Sequence, residues 1–248
     1  MSFHRAVSRC GAVAALCCVL AWPESALARS DVDPQAAADA VFVLTNALRK
    51  ENGLPPLERD SALAAASQTF AAYMAKTDRY GHEADGREPA ERAREHGYDY
   101  CLVAENIGYQ VKSSGFATEE LARAFVEGWR RSPPHRRNML DADVTDFGAA
   151  VAYSEASGRW YGVQLFALPA SAAIRFEITN DADTPVDYRL GERRYELRPR
   201  VTRTHEGCRL GELVVAWPGG GTSRAEPKPG QRFALSRDGE GRWQLKGL

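Results

Sequence analysis

Four short segments of this sequence carry residue types that can do chemistry. They are Tyr80-Gly81-His82-Glu83-Ala84-Asp85-Gly86, Val103-Ala104-Glu105-Asn106-Ile107-Gly108, the run from Gly128-Trp129 through Ser132-Pro133-Pro134-His135 to Asn138-Met139-Leu140, and Tyr161-Gly162-Val163-Gln164-Leu165-Phe166. His82, Glu105 and His135 stand out. An imidazole changes charge near neutral pH and serves as general base, general acid or metal ligand. Two imidazoles and one carboxylate also make a reasonable open site for a divalent metal such as zinc, with His82 and His135 as ligands. The spacings of 23 and 30 residues between the three are not a metal signature by themselves. Ser132-Pro133 reads as an N-cap followed by a helix-compatible proline, which sets His135 in the first turn of a short helix. The positive end of that helix disfavours an imidazolium, whereas a nearby carboxylate such as Glu105 pushes the other way and can fix one tautomer.

Plainer readings stand beside these. A histidine after a glycine is commonly a turn residue, and Glu105 can serve a tight loop by accepting backbone hydrogen bonds. Ser132 is a helix cap and no nucleophile, since a Ser-x-x-His spacing makes no triad. Asn138 holds the following loop through side-chain to backbone bonds. His82-Glu83 opens no zinc-protease motif, because Gly86 stands where that motif needs its second histidine.

The elements that must position these groups follow from periodicity and caps. Residues 33–129 read mainly as helices. Asp33 caps a first helix with Pro34 at its first position, Val41, Leu44 and Leu48 share a face, and Asn52-Gly53 ends it. A second helix starts near Asp60-Ser61 and carries Leu63, Phe70 and Met74. A third spans about residues 89–96, and a fourth begins at an N-cap Thr118 and carries Leu121, Phe125 and Trp129. After Leu140 the period becomes strand-like, with 147–153 and 160–166 joined by a Ser154 to Gly158 turn. From about residue 171 only strand signals remain, at 174–178, 186–190, 194–197, 213–217, 232–235 and 243–245. The fold class is therefore α+β, followed by a small all-β, sandwich-like module.

Of 248 residues, 44% are hydrophobic and 26% charged, and the net charge is −1, which argues against a dedicated nucleic-acid binder. Arg5 and Arg9, an apolar run over residues 11–22 and Ala26-Leu27-Ala28 read as a signal peptide of residues 1–28, cleaved after Ala28. No other segment reads as transmembrane, so the chain is expected to be exported, to the periplasm or beyond. Only Cys101 and Cys208 remain after cleavage. An exported compartment permits a disulfide between them, and two buried free thiols are the alternative. Residues 29–170 hold 16 basic and 21 acidic residues, against 14 and 11 in residues 171–248, which sets a boundary near 168–172 and two units, 33–170 and 171–248.

Taken in order, the four segments resemble the CAP superfamily (secretory, antigen and pathogenesis-related) in its common bacterial form, over roughly residues 38–168. The resemblance implies a three-layer α-β-α sandwich with a cleft that many members line with two histidines and two acidic residues, some binding a divalent metal there. Matched by motif, His82, Glu105 and His135 line that cleft, with Asn106, Ser132 and Gln164 beside them. Animal and plant members place a glutamate where Ser132 stands, and a second histidine where this chain has only Tyr161-Gly162-Val163-Gln164. The resemblance implies an exported protein whose cleft binds a small ligand, lipid or cell-envelope component. The alternative is a metal-assisted hydrolase acting on a peptide, ester or peptidoglycan through the same residues.

Overall fold

The structure, a computed structural model, describes residues 1–2 and 32–248, so the expected leader and its cleavage site lie outside the described residues apart from Met1 and Ser2. Helix α1 (Pro34–Glu51) begins where Asp33 accepts hydrogen bonds from the backbone N–H groups of Gln35 and Ala36 at 2.9 and 3.1 Å. Helix α2 (Ser61–Thr77) is capped by Asp60, which accepts from Leu63 N–H at 2.8 Å. Helix α3 (Pro89–Glu95) begins at Glu88, whose own N–H is held by the Glu91 carboxylate at 2.9 Å. Helix α4 (Thr118–Arg131) has Ala117 at its N-cap, so Thr118, the expected cap, is its first helical residue. The Thr118 hydroxyl instead accepts Asp33 N–H at 3.1 Å and ties the starts of α1 and α4 together. Helix α5 (Pro133–Met139) follows directly.

Strands β1 (Glu58–Arg59), β2 (Tyr100–Gln110), β3 (Asp146–Tyr153) and β4 (Trp160–Pro169) form one sheet in the order β1-β3-β4-β2. Residues 33–129 are mainly helical, as expected, but they also contain β2, which the helical reading did not include. Its residues alternate between two cores, the pattern of a strand covered on both faces. Leu102 and Ala104 pack with α1 and α4, in a core of Val41, Leu48, Leu121, Phe125, Trp129 and Phe147. Val103 and Ile107 pack with α2 and α3, against Leu63, Phe70, Met74 and Ala93. Helices thus cover both sheet faces, giving the three-layer α-β-α sandwich. Gly148 on β3 permits the close approach of α2, since a Cβ there would lie 2.2 Å from the Leu63 carbonyl carbon.

After the 3₁₀ turn Ala170–Ala172 come eight strands: β5 (Ile174–Asn180), β6 (Val186–Leu190), β7 (Arg193–Leu197), β8 (Thr202–Gly207), β9 (Leu213–Ala216), β10 (Thr222–Ala225), β11 (Arg232–Arg237) and β12 (Trp243–Gly247). They build two four-stranded sheets, β10-β9-β6-β7 and β12-β11-β5-β8. A core of Phe176, Ile178, Val186, Leu197, Val215, Trp217 and Leu235 lies between them. Strands β8 and β10, which have no continuous apolar run, went unmarked in the sequence.

Cys101 on β2 and Cys208 after β8 form a disulfide across 107 residues, which decides between the two thiol states left open above. Arg209 reinforces that junction by pairing with Asp141 and with Asp143, the latter at 2.5 Å.

Candidate functional site

Strand β2 lies at the edge of its sheet, so one side of its backbone has no strand partner. The two helical layers meet across this edge. The turn after α2 brings His82 from one layer, and α5 brings His135 from the other. Between them, Glu105 projects from β2.

Glu105 is 6% exposed, and both its carboxylate oxygens are engaged. Oε1 accepts from His82 Nδ1 at 2.8 Å, and Oε2 accepts from an Arg92 guanidinium N–H at 2.7 Å. Arg92, on α3, is fully buried. It also donates to Asp85 at 2.9 Å, to the His82 carbonyl at 2.9 Å and to the Arg87 carbonyl at 2.7 Å, and its guanidinium lies 3.6 Å over the Phe70 ring. The buried Arg92 thus lies between two buried carboxylates, of which Asp85 is also paired with Arg87 at 2.7 Å, and it fixes the loop that carries His82. Removing one partner of such a set leaves an uncompensated buried charge, which is why it must be built whole.

The carboxylate can only accept, so the proton of a neutral His82 sits on Nδ1 and its Nε2 is a lone-pair acceptor. The His82 side chain is half exposed. The hydrogen bond to Glu105 raises its pKa above the ordinary histidine value, outweighing burial, which acts the other way. His135 moves in the opposite direction: burial lowers its pKa first, and the positive charge of a protonated His82 lowers it further. The expected direction for His135 holds, but the cause is burial and His82, and Glu105 fixes the tautomer of His82 instead.

The remaining candidates lie behind Glu105 or at the start of α5. Asn106 and Gln164, expected beside the histidines, are fully buried. They form a polar ladder in which Asn138 donates to Asn106 Oδ1 at 2.9 Å, Asn106 donates to Gln164 Oε1 at 3.0 Å, and Gln164 donates to the Thr45 hydroxyl at 2.9 Å. Asn106 also donates to the His135 carbonyl at 3.1 Å, and Asn138 to the Glu105 carbonyl at 3.1 Å. The ladder seats α5 across the edge of β2, so Asn138 grips this strand and not the loop after it. Ser132 sits at the N-cap of α5, but its side chain makes no capping hydrogen bond.

Two buried arginines were not singled out by sequence. Arg92 is one. Arg49 is the other, fully buried, donating to the carbonyls of Pro55, Met139 and Asp141 at 2.9, 3.0 and 2.7 Å. It satisfies the C-terminal end of α5 and so fixes the helix that carries His135. The only sequence signal was Arg49 falling beside Leu48 at the end of an otherwise apolar face.

With both Glu105 oxygens engaged, a cation would be offered two imidazoles, fewer than the three protein ligands of a catalytic zinc site. Among the described residues no group of three or more His, Cys, Asp or Glu side chains is arranged to hold a metal ion.

A family model described as CAP, the cysteine-rich secretory protein family, matches residues 42–166, half of the chain. The chain belongs to the CAP family. This CAP chain is 30% identical over 121 residues to the uncharacterized protein YkwD of Bacillus subtilis, an alignment covering 48% of the chain and 43% of YkwD. It is 29% identical over 112 residues to the uncharacterized membrane protein YlbC of the same organism, covering 45% of the chain and 30% of YlbC. It thus spans less than half the length of either relative. Among solved structures it is similar to an outer surface protein from Borrelia burgdorferi, with a TM-score of 0.49 at 20% identity, covering 56% of this chain and 96% of that one. It is also similar to an extracellular SCP-domain protein from Bacillus anthracis, with a TM-score of 0.46 at 23% identity, covering 54% and 41%.

Proposed function

We propose that this CAP chain is an exported binding protein whose cleft, at the free edge of β2, holds a small ligand, lipid or cell-envelope component between His82 and His135. The observation that carries the reading is the buried link from Arg92 through Glu105 to His82. A charged pair is buried there to hold one half-exposed imidazole in a fixed tautomer, a cost that a turn histidine does not require. Pre-set polar groups are what fixes the orientation of a bound ligand. The disulfide between Cys101 and Cys208 supports an oxidising compartment, periplasmic or extracellular. No helix among the described residues is long and apolar enough to cross a membrane. The division into units of residues 33–170 and 171–248 belongs to the same reading, the second unit presenting the first to a surface or partner. Limited proteolysis under reducing conditions that fails to yield stable pieces of those lengths would argue against that division.

A specific observation also favours a second reading, a hydrolase. Two imidazoles with pKa values moved in opposite directions are the arrangement that separates a general base from a general acid. His82, its pKa raised by Glu105, would hold the proton that a leaving group takes, and His135, its pKa lowered, would take a proton from the attacking water.

The test is calorimetric titration of residues 29–248 with solubilised peptidoglycan fragments, anionic phospholipid vesicles and Zn²⁺, alongside His82→Ala and His135→Ala. Binding of one probe that weakens at least tenfold in both variants supports the cleft. Binding that is unchanged in both overturns it. Turnover of peptide, ester or peptidoglycan substrates that His82→Ala abolishes would favour the second reading.

A further inference from the structure

Glu105, Ile107 and Tyr109 follow one another at alternate positions on β2 and so face the same way. At strand spacing, Tyr109 stands about 13 Å along the edge from Glu105. Tyr80, two residues before His82, meets it there. The two rings lie 5.3 Å apart at 89°, forming an open corner, and each residue is 47% exposed. Tyr161, fully buried, backs both rings at 6.4 and 6.3 Å. The corner is held rigidly: the Tyr80 hydroxyl donates to the Ile107 carbonyl at 3.4 Å, and Asp78 accepts from Tyr161 and Ser157 at 3.0 and 2.6 Å. The Arg159 guanidinium lies 4.9 Å from the Tyr109 ring. Val111, the first residue after β2, is also exposed.

Aromatic side chains of this size are normally spent on the core, and a fixed, solvent-facing pair marks an interaction site. The chemistry of the corner selects its occupant. It is an open shelf, while the cavity of about 470 Å³ lined by Phe42, Ser61 and Phe147 opens at the other end of the sheet, beside β1. An acyl chain needs enclosure to leave water, and a shelf gives little. A saccharide ring presents one apolar C–H face and a rim of hydroxyls. The tyrosine faces suit the first, and the Arg159 guanidinium and the His82 imidazole suit the second.

We propose that Tyr80, Tyr109 and Arg159 form a saccharide subsite continuous with the His82–Glu105–His135 cleft. The proposal rests on the cleft being a binding site and names the ligand as a glycan of the cell envelope. A chain of two or more sugar units reaches from the tyrosine corner to His82.

The experiment titrates residues 29–248 with β-1,4-linked N-acetylglucosamine tetramer. It is read by calorimetry and by the ring proton signals of His82 and His135, for wild type, Tyr109→Ala, Tyr109→Phe, Tyr80→Ala and Arg159→Ala. The expected result is binding that shifts the His82 signal, weakens at least tenfold in both tyrosine-to-alanine variants, and survives in Tyr109→Phe, which keeps the ring. Unchanged affinity in Tyr109→Ala and Tyr80→Ala overturns the subsite while leaving the cleft reading in place. No saccharide binding, with anionic vesicles or a muropeptide stem peptide still shifting the His82 signal, overturns it in the same way. If no probe moves either imidazole, the subsite and the cleft reading fall together.

Discussion

Glu105 works through two neighbours at once, and each can be tested. Its hydrogen bond raises the pKa of His82, so the Glu105→Gln variant should show His82 titrating at lower pH than in wild type, while His135, pressed down chiefly by burial, moves little. Proton NMR titration of the two ring signals reads this directly. An unchanged His82 midpoint would mean that the pair is not formed in solution. Arg92→Met removes the cation shared by Asp85 and Glu105 and keeps much of the side-chain volume. Asp85 keeps Arg87 and Glu105 keeps His82, so the loss should be about 3 kcal/mol, read by urea denaturation. A loss of less than about 1 kcal/mol would refute the role given to Arg92. The candidate residues His82, Glu105 and His135 were legible in the sequence because they sit in short motifs with distinctive neighbours. Arg92 and Arg49 were not, since an arginine that donates to carboxylates and carbonyls inside a protein is spelled the same way as one dissolved at the surface. Asn106 and Gln164 were expected beside the histidines and are fully buried, and side-chain type alone does not say whether an amide faces solvent or braces a wall.

At the scale of elements, the helices were the readable part. Asp33-Pro34, Asp60-Ser61 and Pro89 are start signals that act within one turn of the chain, and each marks the start of a helix. Strand β2 was harder, because its sequence Tyr-Cys-Leu-Val-Ala-Glu-Asn-Ile-Gly-Tyr-Gln puts Glu105 and Asn106 at its centre. Those polar groups are satisfied by partners distant in sequence, among them His82, Arg92, Gln164 and Asn138, which no local pattern reveals. The glycines report the same tertiary demands. A Cβ on Gly162 would fall 2.6 Å from the Phe125 ring, and one on Gly148 would meet α2 backbone. A ring can turn aside, but backbone cannot. Gly148→Ala should therefore cost about 3 kcal/mol by overpacking, and more than Gly162→Ala, in paired denaturation curves. The reverse order would place the tight contact elsewhere.

For the whole molecule, two features set how stability responds to reductant and to pH. The disulfide closes a loop of more than a hundred residues, which in the chain-entropy model stabilises by roughly 4–5 kcal/mol. A Cys101→Ser, Cys208→Ser double variant should lose stability of that order, and wild type should match it in reductant. If reductant does not change the wild-type curve, the linkage carries no such weight. The second feature is acid sensitivity. Burial lowers the pKa of His135 and of His205 in the β sandwich, where His205 Nε2 lies 2.7 Å from the Tyr188 hydroxyl. The unfolded chain then binds protons at a higher pH than the folded one, so both residues cost stability as pH falls below about 6.5, the unfolded histidine value. His82, with its raised pKa, acts in the opposite sense: its contribution is complete below that pH and fades as pH rises through its folded value. The His205→Gln variant should flatten the decline between about pH 7 and 5 in thermal melts. An identical decline in the variant would clear His205 of that part.

The bond between Cys101 and Cys208 has a further consequence outside thermodynamics. The chain between them contains α4, α5, β3, β4 and the first strands of the sandwich. A protease that cuts once anywhere in that stretch, such as the turn at Ser154 to Gly158, breaks the polypeptide without releasing a piece. The two fragments would run as one species on a non-reducing gel and separate only with reductant. The bond turns a first cut from a loss into a scar.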